Sequence, residues 1–237
     1  LVLSKLAKRM PFWDRSIDVL MLTHPEADHI NGLLEVLKRY DIKMVVETGV
    51  ENSLPQYKEW RELIKERGIN VVTAQSGQQF FIGRGAQLHI LSPFENYKGK
   101  SVAKVNNTSI ISRLVYGNSS LLLTGDAEKL VEHRLLFEYG IPAQPSAGRG
   151  SLNLLGRLDS DVLKVGHHGS KTSSIEEFLL AVSPDIAVIQ VGRKNRYGHP
   201  VQEVLDRLAA VGAKILRNDL EGDISIESNG ARFDIVK

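Results

Sequence analysis

The chain has 237 residues, 42% of them hydrophobic, with 30 Lys and Arg against 28 Asp and Glu, a formal net charge of +2. That length and composition suit a globular protein of one large or two small domains, and the mild basicity is compatible with an anionic substrate without arguing for one. Cysteine is absent, which excludes disulfides, thiolate metal sites and cysteine nucleophiles, and no apolar run approaches the roughly 20 residues of a membrane span.

Leu1 to Met10 places Leu3, Leu6 and Met10 at helical spacing, with Lys5, Lys8 and Arg9 outward. This reads as an amphipathic helix stopped by Pro11, not as a signal peptide. Its apolar start without Met suggests a piece of a larger protein. Val19 to Leu22 is an apolar run expected to form a buried strand. It ends in His24, Glu26, Asp28 and His29, and a helix pattern begins at about Ile30. Four potential ligands thus sit where a strand becomes a helix, the place where open α/β sheets bind ligands. Imidazole nitrogens and carboxylate oxygens together suit Zn²⁺, Mn²⁺ or Fe²⁺. The plainer alternative is that Asp28 caps the helix and the histidines are polar loop residues.

Lys43 to Glu47 is a second strand, so the intervening helix makes a βαβ unit with a parallel pair. Leu54 to Arg67 reads as a helix with Trp60, Leu63 and Ile64 inward and Gly68 as its stop, and Asn70 to Thr73 as a third strand. The character then changes. Gly77 to Gly85, Ala86 to Leu91, Thr108 to Tyr116 and Ser120 to Thr124 read as an antiparallel meander. His89 falls inside a strand facing a sheet surface, and His133 on the solvated face of a helix from Ala127 to Tyr139. Ile141 to Leu158 reads as a loop or insertion.

The second half repeats the grammar of the first. Asp161 to Val165 is a strand ending in Gly166-His-His-Gly-Ser170, followed by a helix from about Ile175 to Val182. Ile186 to Val191 is a strand ending in a segment that carries His199, followed by a helix from Val201 to Val211. Lys214 to Arg217, Asp223 to Glu227 and Arg232 to Val236 close the chain as strands, the last two a hairpin through Asn229-Gly230. Polar clusters follow strands at four places, and these hold five of the seven histidines. Such repeated placement argues for one cleft rather than scatter. Asp126 ends the apolar strand Leu121-Leu-Leu-Thr-Gly-Asp, where it is suited to bridge two ions roughly 3.5–4 Å apart.

Thr23-His24-Pro25-Glu26-Ala27-Asp28-His29 resembles the His-x-His-x-Asp-His motif of the metallo-β-lactamase superfamily, with Glu26 where the family's second His usually stands. That departure, with Ile-Asn-Gly-Leu after it, resembles the C-terminal hydrolase domain of ComEC-type DNA-internalisation competence proteins. Leu122 to Glu128 resembles the segment of the bridging aspartate, and Val165 to Lys171 that of the last metal ligand. The resemblance implies an α/β fold, the four-layer αββα metallo-β-lactamase sandwich, here as a single domain without the family's first strands. It implies two divalent ions, Mn or Zn, held by His24, Glu26, Asp28, His29, Asp126 and His167, with His168 as the competitor of His167 for the ligand role. It implies a nuclease that hydrolyses DNA phosphodiesters during DNA uptake. Asp28, His199 and His168 are its catalytic candidates. Asn107, Ser170, Lys171, Thr172, Arg196 and Tyr197 are its substrate contacts, with Arg193 and Lys194 nearby. The expected partner is single-stranded DNA, bound without sequence preference. The parent protein would carry a membrane channel and hold this part on the extracytoplasmic face. Asn107 stands near the position of another family His, and an amide is the weaker ligand. Two other readings stay open: a small-molecule phosphodiesterase related to phosphorylcholine esterases, and a metal-poor nucleic-acid-binding domain.

Overall fold

The computed structural model describes residues 2–83, 85–140 and 158–236. Nearly all of the loop read over 141–158 lies outside them. The chain divides into two compact units, one of Leu1–Gln75 with Pro93–Ile110, the other of Ser76–Ser92 with Ile111–Lys237.

The first unit is built on a parallel sheet in the order β2 (Leu20–Leu22), β4 (Met44–Glu47), β5 (Asn70–Thr73). Two short strands, β1 (Ser16–Ile17) and β3 (Asp41–Ile42), pair beside it. Helix α2 (Ala27–Arg39) connects β2 to β4, and α3 (Pro55–Glu66) connects β4 to β5. Ile30, Leu34 and Leu37 of α2 and Trp60 and Ile64 of α3 recur at helical spacing, so each helix presents one apolar stripe. These stripes pack with Leu20, Leu22 and Val45 into one core, against which Val2, Leu3 and Leu6 of α1 (Val2–Arg9) also lie. Pro55 opens α3 where a missing N–H costs nothing. Gly68 closes it with φ 61°, a left-handed step that suits glycine. Arg67 donates to the carbonyls of Leu37, Lys38 and Tyr40, which satisfies the last turn of α2.

Helix α2 starts three residues before the first apolar position that marks it in the sequence. Asp28 is therefore in its first turn, and Glu26, not Asp28, is the residue before the helix. Asp28 still favours the helix there, because an anion complements the amino-terminal end of the dipole.

The second unit holds a seven-stranded sheet in the order β12-β11-β10-β9-β8-β7-β6. Its strands are β6 (Gln79–Ile82), β7 (Ala86–Ser92), β8 (Ile111–Tyr116), β9 (Ser119–Leu123), β10 (Val162–Lys164), β11 (Ile186–Ile189) and β12 (Lys214–Arg217). β6 to β9 form the antiparallel meander, and β9 to β12 run parallel. Helices α4 (Lys129–Tyr139), α5 (Glu176–Val182) and α6 (Gln202–Ala210) follow β9, β10 and β11 in turn. A short helix α7 (Asn218–Glu221) and the hairpin β13 (Ser225–Ser228) and β14 (Phe233–Val236) end the chain. Strand β6 is an outer strand, and its Phe81 is 79% exposed. His89 is buried within β7, opposite Arg113, and burial pushes its pKa down, with the Arg113 charge adding to this. His133 is exposed.

Candidate metal centre

In the first unit, β2 hands the chain to α2 through Thr23 to Glu26. His24 is fully buried, and its Nδ1 lies 3.1 Å from Thr23 Oγ1 and 3.3 Å from Ser109 Oγ. Such contacts to one ring nitrogen orient the ring. The carbonyl of Glu26 accepts the N–H groups of His29 and Ile30, which fixes the start of the helix. The His29 ring then lies 4.2 Å from the His24 ring, and its Nε2 is 3.8 Å from Asp28 Oδ2. Asp28 is largely exposed and Glu26 half-buried. Asn107 belongs to a short 3-10 turn, Val105–Thr108, beside the buried Ser109 that meets His24. Glu47 also ends a strand, but Trp60 Nε1 (2.8 Å) and Arg61 engage its buried carboxylate.

In the second unit, three adjacent parallel strands each end in a polar group. Strand β9 leads to Asp126, β10 to His167 and His168, and β11 to the segment of His199. Asp126 is buried. Its turn is gripped by Lys164, a buried lysine at the end of β10. The Lys164 carbonyl accepts from Thr124 Oγ1 at 2.7 Å, and its Nζ donates to the Gly125 carbonyl at 2.6 Å and faces Asp126 Oδ1 at 3.5 Å. A charge inside an apolar strand pattern gave no sign of this role. The ammonium occupies one carboxylate oxygen and leaves Oδ2 toward His168.

The two histidines differ. His168 Nδ1 lies 2.5 Å from the Gln190 carbonyl, and its Nε2 lies 3.2 Å from Asp126 Oδ2. A carbonyl can only accept, so the hydrogen-bond network assigns the proton to Nδ1 and a lone pair to Nε2 of the neutral ring. Two acceptors 3.2 Å apart repel unless a cation joins them or the ring takes a second proton. This donor set fits a divalent ion, and a ring N–H given to a carbonyl is the usual support of a metal-bound imidazole. His167 turns elsewhere. Its Nδ1 is 3.2 Å from Thr172 Oγ1 and 3.7 Å from Glu128 Oε1. Its ring is 5.8 Å from that of His199.

His199 stacks on Tyr197, with ring centroids 5.9 Å apart and planes within 18°. Asn195 clamps the same loop, accepting the His199 N–H and donating to the His199 carbonyl, both at 2.9 Å. Burial pushes the His199 pKa down, His167 and His168 push the same way, and Asp126 opposes them. Ser170 is buried and its hydroxyl bonds that of the half-buried Thr172 at 3.1 Å. Lys171, Arg193, Lys194, Arg196 and Tyr197 are exposed, and Arg193 donates to the Asp219 carbonyl.

Among known proteins, ComE operon protein 3 of Bacillus subtilis is 33% identical over 210 residues, covering 89% of this chain and 24% of that protein. Competence protein ComA of Neisseria gonorrhoeae is 33% identical over 208 residues, covering 88% and 25%. Recombination protein 2 of Haemophilus influenzae is 29% identical over 230 residues, covering 95% and 24%. The chain thus spans about a quarter of the length of these relatives. Of solved structures, the metallo-β-lactamase fold protein YhfI of Bacillus subtilis matches with TM-score 0.52 at 12% identity, over 91% of this chain and 79% of that one. The diiron β-hydroxylase CmlA of Streptomyces venezuelae matches with TM-score 0.50 at 14% identity, over 89% and 44%. These likenesses carry the fold alone. The metallo-β-lactamase superfamily profile matches residues 13–193, and with that match over most of its length the chain belongs to this superfamily, with relatives among competence proteins.

Proposed function

We propose that the chain is a metal-dependent phosphodiester hydrolase that cuts single-stranded DNA during DNA uptake. The observation that carries the metal assignment is the approach of Asp126 Oδ2 and His168 Nε2 to 3.2 Å, with His168 Nδ1 turned to the Gln190 carbonyl. The metal ligands on this reading are His24, Glu26, Asp28, His29, Asp126 and His168. The ligand role passes to His168 from His167, because His168 faces Asp126. Two ions, Mn or Zn, are the expected complement. When bound, they supply the field that activates water and neutralises charge gathering on the phosphorus.

The chain's own residues do the rest. Asp28 is exposed enough to take a proton from the attacking water. His199 is neutral near pH 7 because its pKa is lowered. An arriving phosphate raises that pKa, so His199 can then protonate the leaving oxygen. Lys171, Lys194 and Arg196 meet the sugar-phosphate backbone, and the exposed Tyr197 offers a face to a base. Ser170 and Thr172 act as scaffold for His167 rather than as donors to DNA. Asn107 is kept as a substrate contact. The names of the competence relatives, and the quarter of their length that the chain spans, favour a role in competence within a larger protein; the extracytoplasmic face rests on the family resemblance alone. No helix among the described residues is long and apolar enough to cross a membrane.

The test is cleavage of labelled single-stranded DNA with Mn²⁺, beside metal content, for wild type, Asp126→Ala, His168→Ala and His167→Ala. The expected result is loss of at least about 100-fold in rate for Asp126→Ala and His168→Ala, with metal content reduced. The His167→Ala variant should keep its metal. A wild type that holds metal but cuts only small phosphodiesters would replace DNA as the substrate. A wild type that holds no divalent metal would end the hydrolase reading.

A further inference from the structure

The two-histidine turn adopts a conformation its own residues do not favour. His167 and His168 have φ of 44° and 54°, and Gly169 follows at 82°. Left-handed backbone is costly for residues with a Cβ and persists only where the surroundings impose it. Some of the fastening is local. Ser173 Oγ donates to the Gly166 carbonyl at 2.8 Å and lies 3.1 Å from the Ser170 carbonyl, and Lys129 N donates to the Thr172 carbonyl at 2.8 Å. The chain then takes another left-handed step at Ser174, φ 58°.

At that point a side chain from α4 enters. The residue before α5 is Ile175, whose side chain cannot accept the free N–H groups of a helix start. Glu132 reaches the two amides just ahead of the first turn: its Oε1 accepts from Ser174 N at 2.5 Å and its Oε2 from Ile175 N at 3.0 Å. Glu132 is buried, as are Ser173 and Ser174. A Ser or Asp at position 175 would reach the amides of Glu177 or Phe178, not those of Ser174 and Ile175. The arrangement gains something a local cap lacks. It ties α4, which starts three residues after Asp126, to the end of the turn that carries His167 and His168.

The geometry points to Glu132 as a positioning residue: its carboxylate pins the backbone of Ser174 and Ile175 and so holds the two-histidine turn in register with Asp126. The inference rests on the proposed function only in taking this turn to carry a metal ligand.

Hydrogen–deuterium exchange at pH 8 on the full chain, wild type against Glu132→Gln, tests it together with Mn²⁺ titration. The carboxamide keeps the shape but can accept only one of the two N–H bonds. Exchange over 166–175 should rise at least about tenfold while β9 and β11 keep their rates, and Mn²⁺ should bind about tenfold more weakly. Unchanged exchange over 166–175, or equal acceleration everywhere, would overturn the role. So would unaltered Mn²⁺ affinity beside a loosened turn. If the wild type binds no Mn²⁺ yet the turn alone loosens, Glu132 still holds the turn and the metal reading is the one that fails. Should Glu132→Gln not fold, the wild type still decides: fast exchange at both the Ser174 and Ile175 amides would rule out the tether.

Discussion

Glu132 also leaves a mark on stability. Burial raises its carboxyl to about 7 from 4.5, against the hydrogen bonds of Ile175 and Ser174 and the charge of Arg207, which favour ionisation. A carboxyl raised on folding is protonated in the folded chain and ionised in the unfolded one between those values. Its favourable contribution is complete below about 4.5 and is lost as the pH rises through about 7. The urea midpoint of wild type should therefore fall relative to that of Glu132→Gln between pH 5 and 7.5. Parallel curves would refute this. The residue scale is also where the sequence is least explicit. Strand-end histidines stand out because imidazoles rarely recur after apolar runs. Which of His167 and His168 meets Asp126 depends on two left-handed φ angles that no spacing reveals. Lys164 looks like an interruption of an apolar strand, yet it grips the Asp126 turn. Ser170 and Thr172 have the chemistry of phosphate donors, but their hydroxyls bond each other and His167.

At the scale of elements, Gly169 joins the two-histidine turn to the start of α6. Its φ is 82°, and a Cβ there would meet the Pro200 Cβ at 2.5 Å. Gly68, at the end of α3 with φ 61°, has open space around it. Gly68→Ala thus carries only the left-handed penalty of about 1–2 kcal/mol. Gly169→Ala adds an overpacking cost of about 1–3 kcal/mol. Chemical denaturation should rank the two variants in that order, and equal losses would show that the Pro200 contact relaxes freely. The helices and the switch from meander to parallel strands were legible from periodicity, since apolar stripes and strand alternation reflect burial directly. The start of α2 was not. Periodicity sees α2 from Ile30, whereas its first turn is the polar one, occupied by Asp28 and His29. The 3-10 turn at Val105–Thr108 and helix α7 are too short to carry a period.

For the molecule as a whole, a net charge of +2 is too small to steer DNA over long range. On the proposed reading, DNA binding rests on the few cations near the site. Lys194→Ala with Arg196→Ala should weaken single-stranded DNA binding and lower the slope of log affinity against log salt by about 1.4, near 0.7 per lost phosphate contact. An unchanged slope would place the DNA elsewhere. The fold class was legible because four separated motifs lie in family order.

The outer strand β6 has a consequence of another kind. Gln79-Phe-Phe-Ile82 has no charge and no proline, it ends the seven-stranded sheet, and Phe81 stands out from it. Such an edge is a template for a second chain. The consequence is colloidal: as protein concentration rises, self-association through this strand competes with solubility, and turnover per chain would then fall with concentration while every catalytic group stayed in place.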